Sequence, residues 1–199
     1  MSPQSEMPPV GAVNTLRQEY SAEERQLLLE LAHEAIVSAL EKREFPAMNF
    51  TSHLSERRGV FTTLYHDRKL RGCVGYPTAL LPLYQTVIET ARSSAFEDPR
   101  FTPVTRDEAL QLRISISVLS APSPISPDQV EVGRYGLLVG DGARRGLLLP
   151  QVATEHGWDR ITFLEQTCRK AGLPQDAWKN GATIEGFTAE VFGDEELRA

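Results

Sequence analysis

Apolar residues recur at helical spacing behind Ser21, at Leu27, Leu28, Leu31, Ala35, Ile36, Ala39 and Leu40, and the pattern runs to about Arg43 before Pro46. Ser21 followed by Glu24 makes a capping box, so the spacing predicts a helix with one apolar stripe that lies on a sheet. Residues 59–65 (GVFTTLY) and 69–75 (KLRGCVG) are rich in β-branched and aromatic side chains and predict a hairpin interrupted at 66–68. Leu80, Leu83, Tyr84, Val87, Ile88, Ala91 and Ala95 give a second helical stripe, expected from about Leu80 to Ala95 and stopped before Pro99. Thr105 and Glu108 form another capping box, and residues 112–119 (LRISISVL) alternate as a strand with one buried face.

Beyond the proline-rich turn at 121–127, residues 136–139 and 146–149 flank GDGARR and read as a hairpin. Helices are expected at 150–156 and 160–171, ended by Gly172 and Pro174, and residues 183–192 (TIEGFTAEVF) read as a closing strand. Hairpins and helices are segregated rather than strictly alternating, which predicts an α+β fold with a largely antiparallel sheet. The expected organisation is a flexible leader at 1–20, one domain of two interleaved subdomains at 21–193, and an acidic tail at 194–199.

Charge changes this picture in one respect. The chain carries a formal net charge of −6 over 199 residues, but residues 21–193 carry only −3. A nearly neutral body does not suit a protein that holds nucleic acid mainly by neutralising phosphates. The small basic groups at Arg57-Arg58, Arg68-Lys69-Arg71 and Arg144-Arg145 are read as solvated surface. The N-terminus lacks the pattern of a signal peptide and no apolar run approaches membrane-spanning length, so a cytoplasmic protein with reduced thiols is expected.

Several chemistries leave no trace. The sequence contains no G-x-x-x-x-G-K-[ST], no H-E-x-x-H and no G-x-S-x-G. Gly140, Gly142 and Gly146 follow hairpin rather than dinucleotide-binding spacing. His33, His53, His66 and His156 show no ligand spacing, and Cys73 and Cys168 form no C-x-x-C pair, so neither a metal nor a cofactor is expected. His156 suits the C-terminus of a helix, Trp158 and Trp178 suit packing, and Cys168 reads as a buried structural thiol.

Two segments concentrate chemistry. In an extended strand Arg71, Cys73 and Gly75 share one face, which would set a guanidinium beside a thiol and favour the thiolate, while Gly72 and Gly75 let a ligand or backbone come close. Residues 93–101 place Glu97 and Asp98 beside Arg100, framed by Phe96 and Phe101, at a helix end; an ion-paired turn joining helix to sheet is the simplest reading of that segment.

Together these segments resemble the AMMECR domain family. Leu70-Arg71-Gly72-Cys73-Val74-Gly75 resembles its L-R-G-C-[IV]-G hallmark, residues 95–101 its A-F-x-D-x-R-F segment, and residues 115–119 its S-[IV]-S-[VL]-L strand. Residues 146–152 followed by Gly157-Trp158 resemble its L-L-P-x-V…G-W stretch, and residues 163–174 are similar to a segment of archaeal and bacterial members. Val74, Glu97 and Pro99 are mild departures. The resemblance implies a two-subdomain fold, a larger sheet flanked by helices and a smaller antiparallel part, with the hallmark lining a cleft. It also implies a pathway shared with Memo-like and radical SAM proteins, but it supplies no reaction. The resulting expectation is an enzyme or enzyme subunit that binds a small molecule, with Cys73 as nucleophile or acid/base, Arg71 holding an anionic group, and Gly72, Gly75, Asp98 and Arg100 completing the site. The alternative is a non-catalytic module that docks a protein partner through the same surface.

Overall fold

The computed structural model describes residues 19–46 and 49–194. It contains helices and two antiparallel four-stranded sheets, the α+β architecture that the segregated pattern predicts. The chain divides into two compact units: one runs to Val118 and resumes at Glu190, the other is Leu119–Ala189.

The first unit opens with α1 (Ala22–Glu41), whose cap is as the sequence predicts: Ser21 Oγ accepts the Glu24 N–H at 3.2 Å while Glu24 Oε2 accepts the Ser21 N–H at 3.0 Å. Strands β1 (Gly59–His66) and β2 (Lys69–Tyr76) pair antiparallel across Asp67 and Arg68. Both turn residues sit at positive φ, +50° and +62°, as the tight hairpin turn matching strand twist requires. Helix α2 is Leu83–Phe96, three residues shorter at its start than the stripe predicts. Pro82 is the reason: its ring disfavours helical backbone at Leu81 before it, so it stands at the N-cap and leaves Leu80 and Leu81 outside. Helix α3 (Arg106–Ala109) follows the Thr105 capping box, and β3 (Arg113–Leu119) completes the centre of the sheet.

The order in this sheet is β2-β1-β3-β8, with β8 spanning Ala189–Gly193. Val60 and Leu64 of β1, with Ile114, Ile116 and Val118 of β3, pack with the apolar stripes of α1 and α2 in one core. Thr62 shares that face, and its hydroxyl meets Thr90 of α2 at 2.7 Å. Tyr20 belongs to this core at 2% exposure, so the last residues of the expected leader, Glu19 and Tyr20, are fixed in the fold; residues 1–18 lie outside the described residues. At the other end Asp194 accepts the Ile114 N–H at 2.8 Å and pairs with His33, while residues 195–199 of the expected tail lie outside the described residues. Arg58 is no solvated surface group, since it pairs with Glu19 and Glu56 at 2.7 Å each.

The second unit carries the sheet β4-β7-β5-β6, built from β4 (Ser123–Pro124), β5 (Gly136–Asp141), β6 (Arg144–Leu148) and β7 (Thr183–Phe187). The β5–β6 strands extend into GDGARR and leave a two-residue turn at Gly142 and Ala143, with Gly142 at φ +59°. Helices α4 (Pro150–Glu155) and α5 (Arg160–Lys170) follow; Phe163, Leu164 and Cys168 of α5 are fully buried. His156 caps α4 and Trp158 and Trp178 pack on the core, as expected from the sequence.

The predicted single strand at 183–192 is two. β7 pairs with β5 in the second sheet, and after Thr188 the chain joins the first sheet as β8. Thr188 and Ser120 hold each other there: the Ser120 N–H donates to the Thr188 carbonyl at 2.9 Å and the Thr188 N–H to Ser120 Oγ at 3.0 Å. Residues 183–192 are rich in β-branched and aromatic side chains throughout, so composition does not mark the switch; the buried Phe187 and Phe192, five positions apart, face opposite ways along a single strand and do mark it.

Candidate functional site

Strand β2 departs from regular alternation where it matters most. Gly72 pairs with Leu64 but Leu70 pairs with Tyr65, which leaves Arg71 as the extra residue of a bulge. Beyond it Gly72 and Val74 oppose Leu64 and Thr62, on the face turned to α2, while Cys73 and Gly75 oppose Thr63 and Phe61 on the other face. The two glycines serve different needs. A Cβ on Gly72 would stand 2.1 Å from the Ser94 carbonyl oxygen of α2, whereas one on Gly75 would stand 2.1 Å from the Phe61 ring.

Arg71 is committed elsewhere than to the thiol. Its Nε donates to Glu108 Oε1 at 2.9 Å and its Nη2 to Glu108 Oε2 at 3.1 Å, with a further bond to the Pro103 carbonyl. This bidentate grip, with the Thr105 N–H, pulls the Glu108 carboxyl down to about 2. The expected cation of the strand is thus the extra residue of the bulge, and its guanidinium is spent on the Glu108 carboxylate.

Asp98 and Arg100 converge on Cys73 instead. Asp98 Oδ2 accepts the Cys73 N–H at 2.8 Å and the Arg100 Nη2–H at 2.7 Å, and the same Nη2 donates to the Cys73 carbonyl at 3.2 Å. Asp98 Oδ1 accepts from Arg100 Nε at 2.9 Å and from the Arg100 N–H at 3.1 Å. The result is a closed ring of Cys73 N–H, carboxylate, guanidinium and Cys73 C=O. Because β2 is an edge strand, the two side chains stand where a neighbouring strand would supply a donor and an acceptor. Asp98 is almost wholly buried at 3% side-chain exposure and Arg100 is 55% exposed. The Arg100 guanidinium, helped by the Cys73 and Arg100 N–H groups, holds the Asp98 carboxyl well below the usual carboxylate range against the opposing effect of burial. Asp98 in turn raises the basicity of Arg100, and the Cys73 thiol adds to that rise. One step along, Ser94 Oγ donates to the Thr62 carbonyl at 2.8 Å and accepts the Val74 N–H at 2.9 Å, tying α2 to both strands.

The Cys73 thiol itself is half-buried and accepts a hydrogen bond from Thr63 Oγ1 at 3.4 Å. Glu97 turns away to bond Ser93, so the adjacent carboxylates of 97 and 98 do not converge. Cys168 is fully buried in the other unit, where burial pushes its thiol up. Among the described residues no group of three or more His, Cys, Asp or Glu side chains could hold a metal ion. Nor, among them, is any helix long and apolar enough to cross a membrane.

Sequence reasoning missed Thr63, Ser94 and Glu108. The Thr105 capping box pointed to Glu108, but only as a cap: Glu108 Oε2 accepts the Thr105 N–H and an Arg71 N–H together.

The Arg71–Glu108 pair carries an acid-stability prediction. A carboxyl held below its ordinary 4.5 contributes stability that is complete above that value and is lost as the pH falls toward about 2. Glu108→Gln, which can keep the cap, is expected to lose less stability than the wild-type protein between pH 5 and pH 3. Urea midpoints at the two values check this, and equal losses would assign the acid sensitivity elsewhere.

An α+β protein with a glycine-flanked cysteine locked on an edge strand by an aspartate–arginine pair is the class that this geometry defines. The sequence model of the AMMECR1 family matches residues 29–192, and the chain belongs to that family. It is 45% identical over 187 residues to a protein of Methanopyrus kandleri, covering 87% of this chain and 90% of that one. It is 38% identical over 179 residues to a protein of Aquifex aeolicus, covering 85% and 92%. The crystal structure of a protein from Pyrococcus horikoshii superimposes with a TM-score of 0.75 at 42% identity, covering 85% of this chain and 90% of that one.

Proposed function

We propose that the protein is an enzyme or enzyme subunit that binds a small anionic molecule against the face of β2 bearing Cys73, with the thiol as its reactive group and Arg100 as the cation that draws the ligand in. The observation that carries this reading is the hydrogen-bonded ring: it fixes the Cys73 backbone and holds a half-exposed guanidinium on the Cys73 carbonyl, within electrostatic reach of the thiol. Arg71, the first candidate for the anion holder, is paired with Glu108 as Arg100 is with Asp98, but its side chain is only 13% exposed against 55% for Arg100, so Arg100 is the one that can still reach a ligand. Gly72 and Gly75 set the approach of α2 and Phe61 to the strand. The resemblance to the family adds the expectation of a pathway shared with Memo-like and radical SAM proteins.

Alkylation tests this. Iodoacetate carries a negative charge and iodoacetamide does not, so the ratio of their rates at Cys73 reads the local field. Arg100 is expected to raise that ratio about fivefold over a free cysteine peptide, the effect of roughly 1 kcal/mol of attraction at a wet surface. Arg100→Gln should abolish the rise and Arg100→Lys should restore much of it, while Cys168 stays unreactive until the protein unfolds. A Cys73 that reacts with neither reagent in the native protein overturns the reading.

The docking alternative is favoured by a different observation: Tyr76, Leu80 and Leu81, at the end of β2 and in the link to α2, are exposed apolar side chains. A co-purifying partner lost on Leu80→Asp but retained on Cys73→Ser would favour that reading over the enzyme.

A further inference from the structure

Charged and aromatic side chains from separate segments of the chain meet around Glu19 and Tyr20: Glu24 of α1, His53, Glu56 and Arg58 of the loop before β1, and Glu190 of β8. Glu19 gives its N–H to Glu190 Oε2 of β8 at 2.7 Å, and its own carboxylate takes Arg58 Nη2 at 2.7 Å. Tyr20 is buried, with its ring stacked on His53 at 4.8 Å and 11°. His53 Nδ1 lies 2.8 Å from Glu24 Oε1 of α1, and its Nε2 lies 3.8 Å from Glu19 Oε1. Glu56 also faces the imidazole, while Arg25 occupies Glu190 at 2.8 Å. With a neutral imidazole, the carboxylates of Glu19, Glu24, Glu56 and Glu190 lose a cation, and the guanidiniums of Arg25 and Arg58 pair with Glu190, Glu19 and Glu56.

We propose that His53 is the catch of a proton-dependent clasp, which holds Glu19 and the backbone at Tyr20 more tightly while the imidazole is charged and loosens them as it loses its proton. The reason is in the two ring nitrogens. A charged ring donates from both, to Glu24 and toward Glu19. A neutral ring that keeps its bond to Glu24 has its proton on Nδ1, and so turns the Nε2 lone pair toward the Glu19 carboxylate, exchanging an attraction for a repulsion. The loss is local. Glu24 uses Oε2 for the Ser21 N–H and Oε1 for His53, so the α1 cap survives when the clasp opens. Tyr20 does not titrate in this range, because burial pushes its phenol up to about 12.

The carboxylates raise the affinity of His53 for its proton above the ordinary 6.5. The clasp is therefore fully closed below that value and loosens as the pH rises through the elevated folded value. The clasp therefore sets how firmly Glu19 and Tyr20 are held against β8 and the core.

Amide hydrogen exchange at Glu19, corrected for its intrinsic pH dependence, tests the proposal on the full chain. Protection is expected to fall by about threefold or more between about pH 6 and pH 8.5, with the α1 amides of Leu28 to Ala35 unchanged. His53→Phe, which keeps the stack on Tyr20 and removes the proton, should make protection independent of pH. Flat protection in the wild-type protein while the His53 ring titrates by NMR overturns the proposal. So does a loss spread equally through α1, or a pH dependence that survives in His53→Phe.

Discussion

Gly72→Ala is expected to destabilise the protein by about 3 kcal/mol or more, toward the upper end for overpacking a closed interface. The added Cβ would lie 2.1 Å from the Ser94 carbonyl oxygen and 3.0 Å from its carbon, both backbone atoms of α2. Neither can swing aside as a flexible side chain would, so strand and helix must separate. Separation stretches the bonds that Ser94 makes to Thr62 and Val74, and those bonds hold α2 on β1 and β2. For a chain of this size the loss corresponds to a fall in Tm of roughly 6–12 °C by calorimetry. Gly142→Ala is the control: it meets nothing within 4 Å at φ +59°, and its cost is the backbone penalty alone, about 1 kcal/mol. Equal effects at the two sites would show that α2 yields without loss.

Asp98→Asn is expected to cost about 2 to 3 kcal/mol, below the usual range for breaking a buried ion pair because Arg100 is half-exposed and can rehydrate. The amide keeps the shape and one acceptor, but turns a donor toward either the Cys73 N–H or the guanidinium. One backbone N–H, that of Cys73 or that of Arg100, then loses its partner. The wild-type carboxyl is held below its usual range, so its stabilisation is present at neutral pH and fades only in strong acid, and the variant lacks that acid limb. Urea unfolding at pH 7 measures the cost, and faster alkylation of Cys73 should accompany it as the edge frays. A change under 0.5 kcal/mol with unaltered alkylation would mean that the ring does not secure β2.

The same residues show what a sequence reveals and what it hides. The Ser21 and Thr105 caps, the α1 stripe and the alternation in β3 were legible because each is decided within a few positions of itself. The Asp98–Arg100 pair was legible as an ion-paired turn, but its grip on Cys73 spans 25 positions and follows from which strand lies at the sheet edge. Arg71 was placed beside the thiol by alternation that a bulge interrupts, and a bulge is a property of two strands in register. The break at Thr188 hides because residues 183–192 keep a strand-favouring composition on both sides of it, and only the opposite parity of Phe187 and Phe192 shows the change of face.

That break has a kinetic side. Strands β3 and β8 are hydrogen-bonded neighbours, and residues 120–188 lie between them in the chain. Closing so long a loop from a disordered chain is entropically slow. Once the inserted unit has folded, the mutual bonds of Ser120 and Thr188 bring its two ends within hydrogen-bonding distance, and the loop that remains is short. The insertion therefore acts as a template for the sheet that hosts it, and a destabilised insertion should delay completion of the first sheet without touching any of its contacts.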